Sequence, residues 1–214
     1  MNLQNYKDEI SSLNTLQQSE FVYQTKLWKN LNEIHKSYLA EFENKKISRQ
    51  DVINTFKNYF QNKSNWQKPF LVTMVWGFGS TGYGCFRTNN YLKNENHNLI
   101  INAFDAIKEN NIEIAFKNLQ GISGLNVSYI SKLLYFGTRA NEVNNYCLIF
   151  DIRVARSLIQ LTSGKEIFDL VQITPSTKYT DYIKYNLMLH EKALQLGVEA
   201  EKIEHFLFDF DKLN

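Results

Sequence analysis

NLQGISGLNVSYISKLLYF, residues 118–136, decides how the rest of the chain is read. Apolar residues at helical spacing run to Leu119, a short turn containing Ile122, Ser123 and Gly124 follows, and a second periodic run starts around Asn126. Gly121 and Gly124 permit backbone conformations and close approaches that residues with side chains resist. The pattern predicts two helices joined by a hairpin, with the amides at the start of the second helix pointing outward. Such amides accept a phosphate directly or through a bound monovalent cation. Gly121, Ser123, Gly124 and Asn126 are therefore candidates for gripping a nucleic-acid backbone. An ordinary corner between helices has the same local pattern, so the turn alone does not separate the two.

The second run is almost wholly apolar, yet Lys132 stands in its middle. On a helix Lys132 shares a face with Ser128, Tyr129, Tyr135 and Phe136. One reading lets its stem lie on apolar surface while the ammonium reaches water. The other places it at a pocket rim among aromatics, partly desolvated and so a nucleophile. Downstream, YCLIFD (146–151) is an apolar run that ends in Asp151. Asp151 precedes IRVARSLIQL, an amphipathic run with Val154, Leu158 and Leu161, and aspartate is a preferred N-cap. Each charge has an ordinary explanation by itself; their joint occurrence carries the functional reading.

Working outward, the pattern is helix after helix. Phe21, Leu27, Leu31, Ile34, Tyr38 and Phe42 lie at helical spacing over 19–43. SRQD at 48–51 reads as a capping-box start before Val52, Phe56 and Phe60, with Asp51 in place of the preferred Glu or Gln. Further helices are predicted over 98–109, 111–119, 177–196 (stopped by Gly197) and 199–211. With 2 Pro, 9 Gly, no internal repeat and no low-complexity linker, the expectation is one all-α domain over 1–214, its hairpin and catalytic segment within about 116–161.

PFLVTMVWGFGSTGYGCFRTNNYL (69–92) reads differently. GFGSTG at 77–82 fits G-x-G-x-x-G, and FLVTMVW before it has the composition of a strand. That fingerprint needs a βαβ unit, whereas the flanks look helical and favour a glycine-rich turn between helices. Trp76, Gly77, Phe78 and Arg87, with Tyr83 and Phe86, make this stretch a candidate ligand-facing loop and base pocket; core packing is the ordinary fate of such aromatics.

Charge and cysteine content narrow the classes. The net charge of +2 is small, but residues 116–156 carry Lys117, Lys132, Arg139, Arg153 and Arg156 against only Glu142 and Asp151. Cys85 and Cys147 are too few for a disulfide framework, a four-thiolate metal site or a cysteine-ligated iron–sulfur cluster. His35, His97, His190 and His205 show no metal-ligand spacing, and Asp209 and Asp211 near the C-terminus read as solvated. The polar N-terminus lacks a signal-peptide core, and FLVTMVWGFG, about ten residues, is too short to span a bilayer. A soluble protein of a reducing compartment is expected: cytoplasmic, and nucleoid-associated in a bacterium.

The order of hairpin, lysine on the second helix, apolar segment and helix-opening aspartate, in LQGISG, SYISKLLYF and YCLIFDIRVARSL, resembles the helix-hairpin-helix DNA glycosylases. It is most similar to their 8-oxoguanine branch, including the shorter bacterial and archaeal members, over roughly residues 118–161. The resemblance implies two helical lobes with a cleft between them, acting as a monomer on double-stranded DNA that contains a damaged base. It implies that Lys132 attacks C1′ of a flipped-out nucleotide to form a Schiff base with associated AP-lyase activity. It implies that Asp151 stabilises the charge developing on the sugar, and that no metal or organic cofactor takes part. Arg153 or Arg156 would meet phosphates beside the hairpin amides.

Two departures stand out. The family's commonest hairpin reads L-P-G-V-G, where this chain has I-S-G-L-N, so Asn126 stands where a left-handed residue is expected. In many members the lysine falls one turn earlier, where this chain has Ser128; in the archaeal type it falls later, as Lys132 does. Were the earlier position the working one, the protein would be a monofunctional glycosylase or a catalytically silent DNA-binding protein. A nucleotide-binding protein using GFGSTG is the distant third reading.

Overall fold

The computed structural model describes residues 3–19, 21–63, 65–161 and 178–213, the side chains of 211–213 excepted. The fold is all-α. Among the described residues the helices are α1 (Lys7–Ser12), α2 (Glu33–Ser37), α3 (Arg49–Asn62), α4 (Gln67–Phe78), α5 (Gly84–Tyr91), α6 (His97–Lys108), α7 (Ile112–Gln120), α8 (Val127–Ala140), α9 (Ile152–Leu161), α10 (Tyr179–Leu196) and α11 (Ala200–Leu213).

Local signals account for most of these boundaries. Ser48 and Asp51 form the capping box that opens α3: the Ser48 hydroxyl accepts from the Asp51 amide at 3.2 Å and the Asp51 carboxylate from the Ser48 amide at 2.8 Å. Helix α10 stops at Gly197, whose φ of +67° is left-handed. Residue 177, the predicted start of that helix, lies outside the described residues.

One open alternative closes and one expectation fails. FLVTMVW is not a strand: it lies within α4, where Phe70 to Val75 are all fully buried. A continuous apolar run fits a buried helix as well as a buried strand, and the twelve-residue length of α4 is helical. The strand that a dinucleotide fingerprint requires ahead of GFGSTG is thus a helix, and the nucleotide-binding reading loses its frame. The long helix over 19–43 is also replaced, by the 3₁₀ turns Thr25–Trp28 and Ala40–Phe42 and the single turn of α2. The chain doubles back here, Tyr23 exchanging backbone hydrogen bonds with Lys45 and Asn44 at 2.8 and 2.9 Å. Trp28, Leu31 and Leu39 enter the core while Leu27 and Ile34 stay 44% and 68% exposed, so the helical spacing marks no common face.

Helix α8 is the buried centre, packed against α3, α4, α6 and α7, with Ile130 to Gly137 all inside. Between α8 and α9 the chain runs through Tyr146 to Phe150, buried, apolar and outside any helix. Side chains satisfy its backbone. The amides of Cys147, Leu148 and Phe150 donate to Thr138 (2.9 Å), Asn186 (2.6 Å) and Ser131 (3.0 Å). The carbonyls of Tyr146, Leu148 and Ile149 meet His190 (2.8 Å), Tyr182 (2.8 Å) and Tyr185 (2.7 Å). Thr138 and Ser131 come from α8, the other four from α10. An unmet buried amide or carbonyl costs roughly 1–3 kcal/mol, so this comb of polar side chains lets an irregular segment lie in the core.

A second buried polar group ties α3 to α11. The Arg49 guanidinium, 1% exposed, holds both carboxylate oxygens of Glu204 at 2.7 and 3.2 Å and donates to the Gln18 side chain at 2.6 Å. Its flat face lies against Trp76 and Tyr135, 5.4 and 5.0 Å from the ring centroids. Removing one partner strands the other charge in the core. Glu204→Ala is expected to lose on the order of 3–5 kcal/mol of unfolding free energy, read from urea denaturation. A loss below about 1 kcal/mol would show that Arg49 is solvated or re-paired in the variant.

Candidate active site

The hairpin is a tight turn on buried supports. The Leu125 amide donates to the Ile122 carbonyl at 3.1 Å, and Gly124, third of the four residues, has φ of +80°. A positive φ there is what a type II turn demands and what glycine supplies without strain. Ile122 and Leu125 point inward, whereas Gly121, Ser123 and Gly124 are exposed. From α5 the buried Tyr91 donates its hydroxyl to the Gly124 carbonyl at 2.8 Å and pins the turn. Asn126 is not left-handed: its φ of −85° and ψ of 170° are extended, and its side chain accepts from the Tyr129 amide at 3.4 Å. Asn126 is the N-cap of α8, and Gly124 supplies the left-handed residue.

Two turns into α8 lies Lys132, only 5% exposed, so the solvent-reaching reading fails. Its ammonium donates to the Asp151 carboxylate at 2.9 Å, to the Ser128 hydroxyl at 2.9 Å and to the Ser128 carbonyl at 3.3 Å. Three N–H donors meet three acceptors. The Tyr129 ring closes one side, its centroid 5.2 Å from the ammonium nitrogen.

Asp151 arrives at the end of the apolar segment 146–150 and works as an N-cap as well. Its Oδ1 accepts from the Arg153 amide at 3.2 Å, and its carbonyl accepts from Ala155 at 3.0 Å. Its Oδ2 accepts from Ser128 at 2.6 Å and from Lys132. Burial by itself would push the Asp151 carboxyl up. The Lys132 ammonium, the Ser128 hydroxyl and the Arg153 amide outweigh it and hold the group well below the usual carboxylate range. The site therefore holds an ionised carboxylate and a lysine side by side, largely shielded from water.

The loop candidates divide. Gly77 backs directly onto the lysine: a Cβ there would stand 3.1 Å from Lys132 Cδ and 3.2 Å from Tyr129 Cε1. Phe78 stacks on Tyr129 with ring centroids 4.3 Å apart. Trp76 turns away, its ring edge-on to Phe136 at 5.1 Å and its indole N–H towards the Gln18 carbonyl at 3.4 Å. Arg87 is exposed on α5 next to Tyr91; burial raises the Tyr91 phenol and Arg87 partly offsets that.

The basic stretch is mostly consumed within the molecule. Lys117 pairs with Glu113 at 2.6 Å, Lys132 with Asp151, and Arg139 with Glu201 at 3.1 Å, while the Arg153 guanidinium lies over the Phe208 ring at 4.7 Å. Arg153 thus serves the site through its amide. Sequence reading missed Ser128 as a partner of both charges, although its place four residues before Lys132 was the available signal.

A family model described as "Putative 8-oxoguanine DNA glycosylase OGG-like protein" matches residues 14–208. The chain belongs to that family. No curated protein and no solved structure matches it.

The depressed Asp151 carboxyl has a consequence for stability. Its folded value lies below the 3.8 of an ordinary aspartate. The stability it contributes is therefore complete above about pH 5 and is lost as pH falls through the unfolded value towards the folded one. The gap in unfolding free energy between wild type and Asp151→Asn is expected to narrow from about pH 5 to about pH 3, by chemical denaturation at each pH. A gap constant over that range would mean that Asp151 titrates alike in both states.

Proposed function

From membership of this family and the buried contact between Lys132 and Asp151, we propose that the protein is a DNA glycosylase acting on an oxidised purine of the 8-oxoguanine type in double-stranded DNA. The 2.9 Å pair carries the reading: two opposite charges are brought together from separate helices behind an exposed hairpin. A stacked, paired nucleotide hides its C1′, so the target must first be flipped out, at a cost of a few kcal/mol.

Lys132 then needs a free lone pair, and so must give up one proton and leave its resting pair. Its nitrogen bonds to C1′ as the N-glycosidic bond breaks, and the bonding electrons leave with the base. Positive charge grows on the sugar, opposite the Asp151 carboxylate, which stabilises it through space. Opening of the sugar ring converts the C1′–N bond to a Schiff base, and loss of a C2′ proton expels the 3′ phosphate. That last step is the AP-lyase activity. The exposed hairpin around Gly121, Ser123 and Gly124 meets the phosphate backbone through amides, with Arg87 as the cation on its flank.

Borohydride trapping on duplexes carrying 8-oxoguanine, within a panel of lesions, tests the chemistry. Wild type should trap covalently, and Lys132→Gln should lose trapping altogether while its affinity for the same duplex stays within a few-fold. Trapping retained in Lys132→Gln would move the nucleophile elsewhere. Binding without trapping by the wild type would leave a monofunctional glycosylase or a silent DNA binder, which release of the base from the same duplex separates.

The hairpin gives a separate expectation. Gly124→Val meets little steric obstruction, since the nearest atom to an added Cβ is Tyr91 Cε1 at 3.8 Å, but a β-branched residue is strained at φ of +80°. Affinity should drop about ten-fold for all duplexes alike, because phosphate contacts carry no sequence information. Wild-type affinity in a folded variant would reduce the turn to a corner.

A further inference from the structure

Ser128 occupies the position where a plain helical residue would suffice, and it does more than its place in the helix requires. Asn126 already caps α8, so the Ser128 hydroxyl is not needed there. A hydroxyl offers one proton and two lone pairs. Here the proton goes to Asp151 Oδ2 at 2.6 Å, and a lone pair accepts from Lys132 at 2.9 Å. The Ser128 carbonyl takes a further Lys132 proton at 3.3 Å. Ser128 therefore supplies two of the three acceptors on the ammonium and the second hydrogen bond to the carboxylate oxygen that pairs with it.

We propose that Ser128 is the positioning residue of the Lys132–Asp151 pair, a latch that holds the lysine in its resting contact and the carboxylate aimed. Resting on the glycosylase reading, it also limits how readily the amine leaves that contact to attack. Among the described residues, Tyr129 on α8 and Tyr185 on α10 act on Asp151, Tyr185 bonding to the Ile149 carbonyl, while Tyr91 and Arg87 of α5 act on Tyr129. Helix α4 brings Gly77, which has no charge. The hydroxyl bonds both partners at once, so its loss loosens the lysine from the pair.

The test needs no DNA. The full chain is reductively methylated with formaldehyde and a borohydride at one fixed pH, and the rate at which Lys132 is modified is read by peptide mass spectrometry. Ser128→Ala should be modified about ten-fold faster, the size expected for loss of one hydrogen bond to a charged group. Ser128→Thr, which keeps the hydroxyl, should stay at the wild-type rate. An unchanged rate in Ser128→Ala, or an equal rise in Ser128→Thr, overturns the proposal. Should Ser128→Ala not fold, Ser128→Cys, with a weaker donor and acceptor, must rise in the same direction or the latch is refuted.

On 8-oxoguanine duplexes the kcat of Ser128→Ala should fall about ten-fold with KM unchanged, because orientation of the carboxylate matters only as charge develops. Absence of both trapping and base release by the wild type would sink the glycosylase reading alone, since the methylation rate decides the role of Ser128 without it.

Discussion

The buried segment from Tyr146 to Phe150 imposes the constraint on which the site depends. A chain that crosses a core outside helix or sheet brings amides and carbonyls that must find partners there. This one finds them on the two helices it passes between. Thr138 and Ser131, seven residues apart, present hydroxyls from one face of α8, and Tyr182, Tyr185, Asn186 and His190 present a polar row from α10. With three amides and three carbonyls tied to side chains, the segment cannot slide. Its far end is Asp151, and the carboxylate is delivered to a fixed point beside α8.

A buried ion pair is poor support for stability, because desolvation consumes much of what the attraction returns. Lys132 and Asp151 fit that rule only with help. The lysine has three acceptors, and the carboxylate has three hydrogen bonds besides its position at the start of α9, where the helix dipole favours a negative charge. Gly77 lets the backbone of α4 press against the lysine stem where any side chain would crowd it. Such an arrangement is expensive to build, and perturbed carboxylates of this kind cluster at functional sites. Asp151 shows that the two roles do not compete: one oxygen caps, the other pairs.

What could be read in advance followed from locality. The capping box at Ser48, the stop at Gly197, the ends of α6 and α7, and the hairpin all depend on residues within a few positions of one another. Lys132 and Asp151 stood out because charge interrupted apolar runs. Ambiguity and failure came where local pattern underdetermines structure. The apolar run of α4 lacks a periodic signal, since it is buried all round, and the spacing over 19–43 coincides with helical periodicity while the chain folds back on itself. Asn126 was assigned the left-handed conformation that Gly124 supplies instead, because cap and turn residues draw on the same amino acids. Arg49, Tyr182, Tyr185 and Asn186 were invisible as a class: each acts on a partner more than thirty residues away, or on a segment whose irregularity only the fold reveals.

The hairpin and the charge pair share one rigid element. Asn126 caps α8 and Lys132 lies six residues on, about 9 Å along the axis at 1.5 Å per residue. That is two or three base steps of 3.4 Å on a DNA strand. On the proposed reading, a phosphate held at the start of α8 therefore lies within a few nucleotides of the sugar that Lys132 attacks, and no moving part separates them. Tyr91 reinforces the arrangement, holding the turn at Gly124 from the same helix that carries Arg87, while Phe78 presses on Tyr129 next to the lysine. Backbone grip and covalent chemistry would then be registered by helix geometry alone, so that seating any duplex on the hairpin already sets which nucleotide can be reached, and only flipping remains to decide whether it is attacked.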